Sequence, residues 1–281
     1  MRYNYAARWA LTDGNGEDMN KLGFIGMGNM AQAIADGFIS SGAVAGENIY
    51  AYAPNTEKLK ANAERIGFNA VTSMKELTDT CDTLIMACKP YQIPAIIRDH
   101  GDSFSGKALI SIALGWDFVT YTKVLPDDTR VQFVMPNTPA KVGEGVFLFE
   151  ALHSLEDDER MQVMDAFSRL GMVTELAPNL MGIGGAITGC GPAFIDLYIE
   201  AMGDVAVKYG LPRKLAYELV SATVKGSAAL QLETGTHPGE LKDAVCSPGG
   251  STIRGVSALE ATGFRASCMS AIDEIMSMYE E

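Results

Sequence analysis

The chain has 281 residues, 47% apolar and 20% charged, which is enough to bury a substantial core and too apolar for a disordered tail. A formal net charge of −13 excludes a broad nucleic-acid surface but leaves room for small anions held at helix N-termini. Five cysteines (Cys81, Cys88, Cys190, Cys246 and Cys268) form no CxxC pair and the three histidines are scattered. Neither a metal site nor a disulfide framework is therefore expected, and the thiols read as small core residues of a reducing, cytoplasmic compartment.

Residues 1–18 lack the apolar core of a signal peptide and end in a polar cluster, so they are expected to be an extension without a role in the fold. No apolar run in the sequence approaches the roughly 20 residues that cross a bilayer. From Lys21 onward, short apolar runs alternate with amphipathic stretches. KLGFIG predicts a strand, NMAQAIADGFISSG a helix ending at Gly42, NIYAYA a strand and TEKLKANAERIG a helix. DTLIMAC, KALISIA, RVQFVM, VFLFEA and MVTELA read as further strands, with IPAIIRDH, DFVTYTKVL and LEDDERMQVMDAFSRLG as helices between some of them. Alternation on this scale implies βαβ units and a mostly parallel, doubly wound sheet of the Rossmann type. The character changes near Pro178, after which the sequence reads as helix after helix. The expected organisation is a dinucleotide-binding domain over residues 19–179 and an all-α substrate and dimerisation domain over residues 180–281. Apolar helix faces following a complete α/β domain point to packing against a second subunit.

GFIGMGNMA carries the first chemistry. Gly26 suits a tight turn, Gly28 lets backbone approach a pyrophosphate, and Ala31 is the third small residue that allows close helix–strand packing. The phosphate would meet the helix N-terminus at Asn29 and Met30. Dinucleotide readers of NAD place an acid at the end of the second strand, whereas this chain gives AYAPNTEK. Asn55, Thr56 and Lys58 suit a 2′-phosphate instead, so NADPH is the expected cofactor, with Glu57 keeping NADH open. Two later loops fall at the nicotinamide end, with Lys89 and Pro90 in ACKP and Asn137 in the rigid turn MPNTP, and Ala113, closing KALISIA, is a further expected cofactor contact.

CSPGGSTIRG, over residues 246–255, interrupts the helices with hydroxyls and glycines. With GFIGMGNMA, CKP, VMPNTPAKVGEG, TGCGPAF and HPGELKDAVCSPGGSTIRGVSALEATGFR, it resembles the signature of the pyrroline-5-carboxylate reductases, in order and spacing, from about residue 20 to the C-terminus. The resemblance implies hydride transfer from NAD(P)H to the C=N carbon of 1-pyrroline-5-carboxylate, giving L-proline, the last step of proline biosynthesis. It also implies a homodimer that assembles further, often to a decamer, and a substrate loop at Ser247, Pro248, Gly249, Gly250, Ser251 and Thr252. Thr252 maps onto the hydroxyl near the ring nitrogen and is the expected catalytic residue. The substrate carboxylate is expected on the backbone N–H groups of Gly249, Gly250 and Ser251. Departures from the family pattern are Tyr91 inserted before Gln92, Ser251 for a threonine, Thr188 and Cys190 in TGCGPAF, and Met74 where relatives carry Asn. Three rival readings are a β-hydroxyacid dehydrogenase, disfavoured because TGCGPAFIDLYIEAMGD contains no lysine, a non-catalytic dinucleotide sensor, disfavoured by the intact loop, and a purely structural helical partner with a vestigial site.

Overall fold

The computed structural model describes residues 21–278, so the extension expected over residues 1–18 lies outside them. Strand β1 (Leu22–Ile25) leads into α1 (Asn29–Ser40), β2 (Ile49–Tyr52), α2 (Thr56–Ile66) and the two-residue β3 (Asn69–Ala70). Then come α3 (Met74–Thr80), β4 (Thr83–Met86), α4 (Ile93–His100), β5 (Ala108–Ser111), α5 (Phe118–Thr122) and β6 (Arg130–Met135). The sheet closes with β7 (Gly145–Glu150), α6 (Asp157–Ser168) and β8 (Gly171–Leu176). Its strand order is β3-β2-β1-β4-β5-β6-β7-β8. The first six strands are parallel, β7 runs antiparallel to β6, and β8 is parallel to β7.

Helices on both faces explain why LGFI and ALIS contain no polar alternation: every residue of β1 and β5 is buried. One face packs under α1, α2 and α6, with Ile34, Phe38, Leu59, Val163 and Phe167 in its core. Phe167 meets Phe38, Phe147 and Phe149 edge-on at centroid distances of 5.1, 5.0 and 5.7 Å. The other face packs under α3, α4 and α5 through Leu77, Ile93 and Tyr121. The doubly wound fold expected from the sequence is the fold observed.

After β8 the chain is helical: α7 (Pro178–Gly185), a π-helical turn (Ala186–Cys190), α8 (Gly191–Lys208), α9 (Arg213–Thr234), α10 (Pro238–Ala244), α11 (Ser251–Ala261) and α12 (Phe264–Ser277). Three short elements, β3, α3 and α10, have no counterpart among the strands and helices read from the sequence. By contact density the described residues fall into two units, one ending at Gly189 and the other starting at Cys190, whereas the sequence reading draws its line at residue 179. The first turns after Pro178 stay with the sheet because glycine permits close approach. A side chain at Gly184 would strike Leu148 at 2.9 Å, and one at Gly185 would strike Met135.

One expectation is corrected here. α7, the π turn and α8 form a continuous 31-residue helix, Pro178–Lys208, long and apolar enough by length and composition to cross a membrane. The glycines in LMGIGGAITGCG break the apolar run in the sequence but not the helix. In the second unit, α8 and α9 pack together where Gly203 leaves space for the Tyr217 ring. Most of their apolar surface stays open, including Leu197 at 66% and Leu232 at 70% exposure.

Candidate active site

A groove of about 1210 Å³ crosses the C-terminal ends of the parallel strands, from the tip of β2 past β1 and β4 to β5 and the turn after β6. Its centre is the turn between β1 and α1. Gly26 has φ +95°, and a side chain there would lie 2.9 Å from both Cα and N of Cys88. The turn is fastened by Gly26 N–H donating to the Tyr52 carbonyl at 2.8 Å and Ala87 N–H donating to the Ile25 carbonyl at 2.9 Å. Glycine is thus required here twice, for the backbone angle and for the close approach.

Gly28 differs. It is the N-cap of α1 with φ −77°, no side chain caps the helix, and nothing lies within 4 Å of where a β-carbon would point. The first N–H groups of α1 therefore face the groove unpaired, beside Asn29 and Met30 in its wall, with no acidic residue in that turn. Ala31 is buried against the sheet. The arrangement is a seat for an anionic group.

At the β2 end, Asn55 caps α2 by accepting the Lys58 N–H at 2.9 Å, and both line the groove. Thr56 begins α2 but is not part of the wall. No acid follows Tyr52, so the adenosine-ribose end holds amide and ammonium groups. Lys89, Pro90, Gln92 and Ala113 form the opposite wall. The Gln92 side chain accepts the Lys89 N–H at 3.0 Å, which keeps Gln92 in the wall despite the inserted Tyr91. Ala113 is set by its N–H donating to Ser111 Oγ at 3.3 Å, while the Ser111 hydroxyl donates to the buried Tyr121 hydroxyl at 3.2 Å. Cys88 also lines the groove, and burial pushes its thiol up to about 11.

Asn137 is placed differently from the expectation. It is buried and absent from the groove wall, and both ends of its amide are engaged: Nδ2 donates to the Thr188 carbonyl at 3.0 Å and Oδ1 accepts the Val146 N–H at 2.8 Å. It pins the π turn instead. Its neighbours Thr138 and Lys141 do line the groove, as do Asn62 and Leu114, none of which the sequence reading singled out. Asn62 was findable: it lies four residues after Lys58, on the same face of α2.

In the helical unit, Gly249 has φ +68° and Gly250 is the N-cap of α11, again with no side-chain cap. A side chain at Gly250 would strike Ser247 Oγ, a hydroxyl free to rotate away, so the glycine that the turn needs for its backbone angle is Gly249. Gly250 N–H donates to the Ser247 carbonyl at 3.0 Å. That amide is therefore unavailable to a ligand, which corrects the expected cradle of Gly249, Gly250 and Ser251. The open donors at this turn are the first N–H groups of α11, at Ser251 and Thr252, where both hydroxyls are exposed.

A parallel sheet whose first six strands run 3-2-1-4-5-6, with a glycine turn and an uncapped helix at the central switch point, defines a dinucleotide-binding protein of the Rossmann class. Residues 21–115 match the family model described as NADP oxidoreductase coenzyme F420-dependent, and residues 178–281 match pyrroline-5-carboxylate reductase dimerisation. The chain belongs to the pyrroline-5-carboxylate reductase family. It is 40% identical over 260 residues to the pyrroline-5-carboxylate reductase of Treponema pallidum, spanning 91% of this chain and 98% of that one. It is 37% identical over 262 residues to the Escherichia coli enzyme, spanning 93% and 97%. Among solved structures, pyrroline carboxylate reductase from Plasmodium falciparum with NADP bound superposes with a TM-score of 0.84 at 32% identity, covering 94% of this chain and 98% of that one.

Proposed function

We propose that this chain reduces 1-pyrroline-5-carboxylate to L-proline with NAD(P)H, preferring NADPH. The observation that carries the reading is the glycine turn: Gly26 locks the β1–α1 connection against Cys88, and Gly28 leaves the N-terminus of α1 open toward the groove. The residues present fit a dinucleotide, since the groove is long enough to cross four strands and offers unpaired N–H groups at its centre. The bound cofactor supplies the hydride. The protein's own residues do the rest. The α1 N-terminus holds the pyrophosphate, and Asn55 and Lys58 hold the 2′-phosphate. Lys89, Pro90 and Ala113 shape the wall at the nicotinamide end.

The imine needs little activation, because it is protonated near neutral pH and its carbon is then electrophilic. The first N–H groups of α11 hold the carboxylate and the Thr252 hydroxyl donates to the ring nitrogen, supporting the developing amine. Residues 19–179 and 180–281 serve as the cofactor and the substrate and dimerisation domains. The exposed apolar faces of α8 and α9 meet a second copy rather than a bilayer, a reading supported by the match of residues 178–281 to the dimerisation family. The dimer assembles to a decamer in the cytoplasm.

Oxidation of NADPH by the purified chain, followed with 1-pyrroline-5-carboxylate and matched by proline formed, tests the reading; consumption no faster than without the imine refutes it. Sedimentation of the purified chain tests the assembly, and a monomer would refute it.

A further inference from the structure

The peptide groups before and after Gly28 carry the carbonyls of Met27 and of Gly28 itself, and one residue holds both. Gln32 donates its backbone N–H to the Gly28 carbonyl at 2.9 Å and its side-chain Nε2 to the Met27 carbonyl at 3.0 Å. The other end of that amide is engaged as well: Oε1 accepts from Nη2 of Arg65, in the last turn of α2, at 2.7 Å. A guanidinium only donates and a carbonyl only accepts, so the two partners fix one orientation of the amide. Gln32 and Arg65 are absent from the groove wall, whereas Met27 and Gly28 form part of it. In a trans peptide the C=O and the N–H point in opposite directions, and no cis peptide occurs among the described residues. With the Met27 and Gly28 carbonyls drawn back along α1 to Gln32, the N–H groups of Gly28 and Asn29 point forward, out of the helix end and into the groove. Glycine at position 28 keeps that space open but leaves its own backbone free to turn. The Gln32 amide takes up that freedom.

Resting on the dinucleotide reading above, we propose that Gln32 is the positioning residue of the pyrophosphate seat, with Arg65 setting its amide. Gln32 touches no ligand. It aims the Gly28 and Asn29 N–H groups before the cofactor arrives, so that binding does not have to order them. The pyrophosphate is common to NADPH and NADH, so Gln32 acts on both cofactors alike, unlike Lys58, which meets only the 2′-phosphate.

The test uses the full chain with Gln32→Met, which keeps the length of the side chain and removes both of its hydrogen bonds, and with Arg65→Met. In titrations, Gln32→Met is expected to weaken NADPH binding about three- to tenfold, and NADH binding by the same factor. Adenosine 2′-monophosphate, which carries no pyrophosphate, is expected to bind this variant as it binds the parent. Arg65→Met is expected to act in the same direction by about two- to threefold, through a less firmly held amide. Parental affinity for NADPH in a folded Gln32→Met overturns the proposal. Equal weakening of adenosine 2′-monophosphate, the mark of a general loosening, overturns it too. Should Gln32→Met fail to fold, Arg65→Met is read in the same way. Failure of the parent chain itself to bind NADPH overturns the dinucleotide reading instead.

Discussion

The two glycines of the β1–α1 turn make opposite demands, and replacing each with alanine separates folding from binding. Gly26→Ala forces a side chain into the left-handed region at φ +95°, which costs about 1–2 kcal/mol. It also drives a methyl against Cys88 Cα and N at 2.9 Å, and both are backbone atoms that cannot rotate away. The end of β4 must therefore shift, adding a cost comparable to overpacking, about 1–3 kcal/mol. The total of about 2–5 kcal/mol corresponds to a drop in melting temperature of roughly 4–20 °C for a unit of this size. Gly28→Ala has no such cost, because φ is −77° and nothing lies within 4 Å of the added methyl. That methyl instead occupies the seat in front of the α1 N-terminus. Losing one charge-assisted hydrogen bond to a phosphate weakens binding by about 1.5–3 kcal/mol, or roughly 10- to 150-fold. Thermal melts without ligand and titration with NADPH read the two effects separately. The expected pattern is a low-melting Gly26→Ala and a Gly28→Ala that melts like the parent but binds poorly. A Gly28→Ala variant with parental NADPH affinity would show that the pyrophosphate does not sit on α1.

Three further outcomes follow from the geometry. Lys58→Ala should raise the KM for NADPH about three- to tenfold while changing that for NADH little, since only the 2′-phosphate needs the ammonium; equal effects on both cofactors would remove Lys58 from the 2′-phosphate. Thr252→Ala should lower kcat/KM for the imine about tenfold or more at unchanged NADPH affinity, and parental kcat/KM would end the assignment. Glu159 accepts two bonds from Arg130, each 2.7 Å, from Nε and Nη2, and the guanidinium holds its carboxyl below the ordinary value of 4.5. A depressed carboxylate contributes stability above its unfolded-state pKa and loses it as pH falls through the lower folded value. Glu159→Gln should therefore cost about 1 kcal/mol near neutrality, with the gap to the parent closing in acid. A gap that stays constant down to pH about 3 would contradict the ion pair's role.

Much of this architecture can be read in the sequence because its physics is local. The strand β1, the positive φ of Gly26, the open cap at Gly28 and the absence of an acid after Tyr52 all follow from short stretches with strong steric rules. What escaped depends on partners distant in the chain. Asn137 looks like a free amide in a rigid turn, but its fate is fixed by Val146 and by Thr188, 51 residues away. The Gly250 amide is a local exception: the Ser247 carbonyl three residues earlier folds back onto it. The reversal of β7 leaves no mark in GVFLFE itself. It follows from the short link after β6, a single 3-10 turn over Thr138–Val142, too little chain for a crossover helix. The long helix after Pro178 is legible in the sequence, but its glycines read there as loosening it, whereas they serve packing against Met135 and Leu148 and leave an unbroken apolar helix to Lys208.

The wall formed by Cys88 carries a chemical consequence. A thiol at about 11 is ionised to about one part in ten thousand at pH 7, a hundredfold less than at the ordinary value of 9.0. Electrophiles and peroxides react with the thiolate, so this sulfur is slow to alkylate or oxidise although it borders an open groove. Thiol reagents at neutral pH therefore leave this wall of the groove largely unmodified.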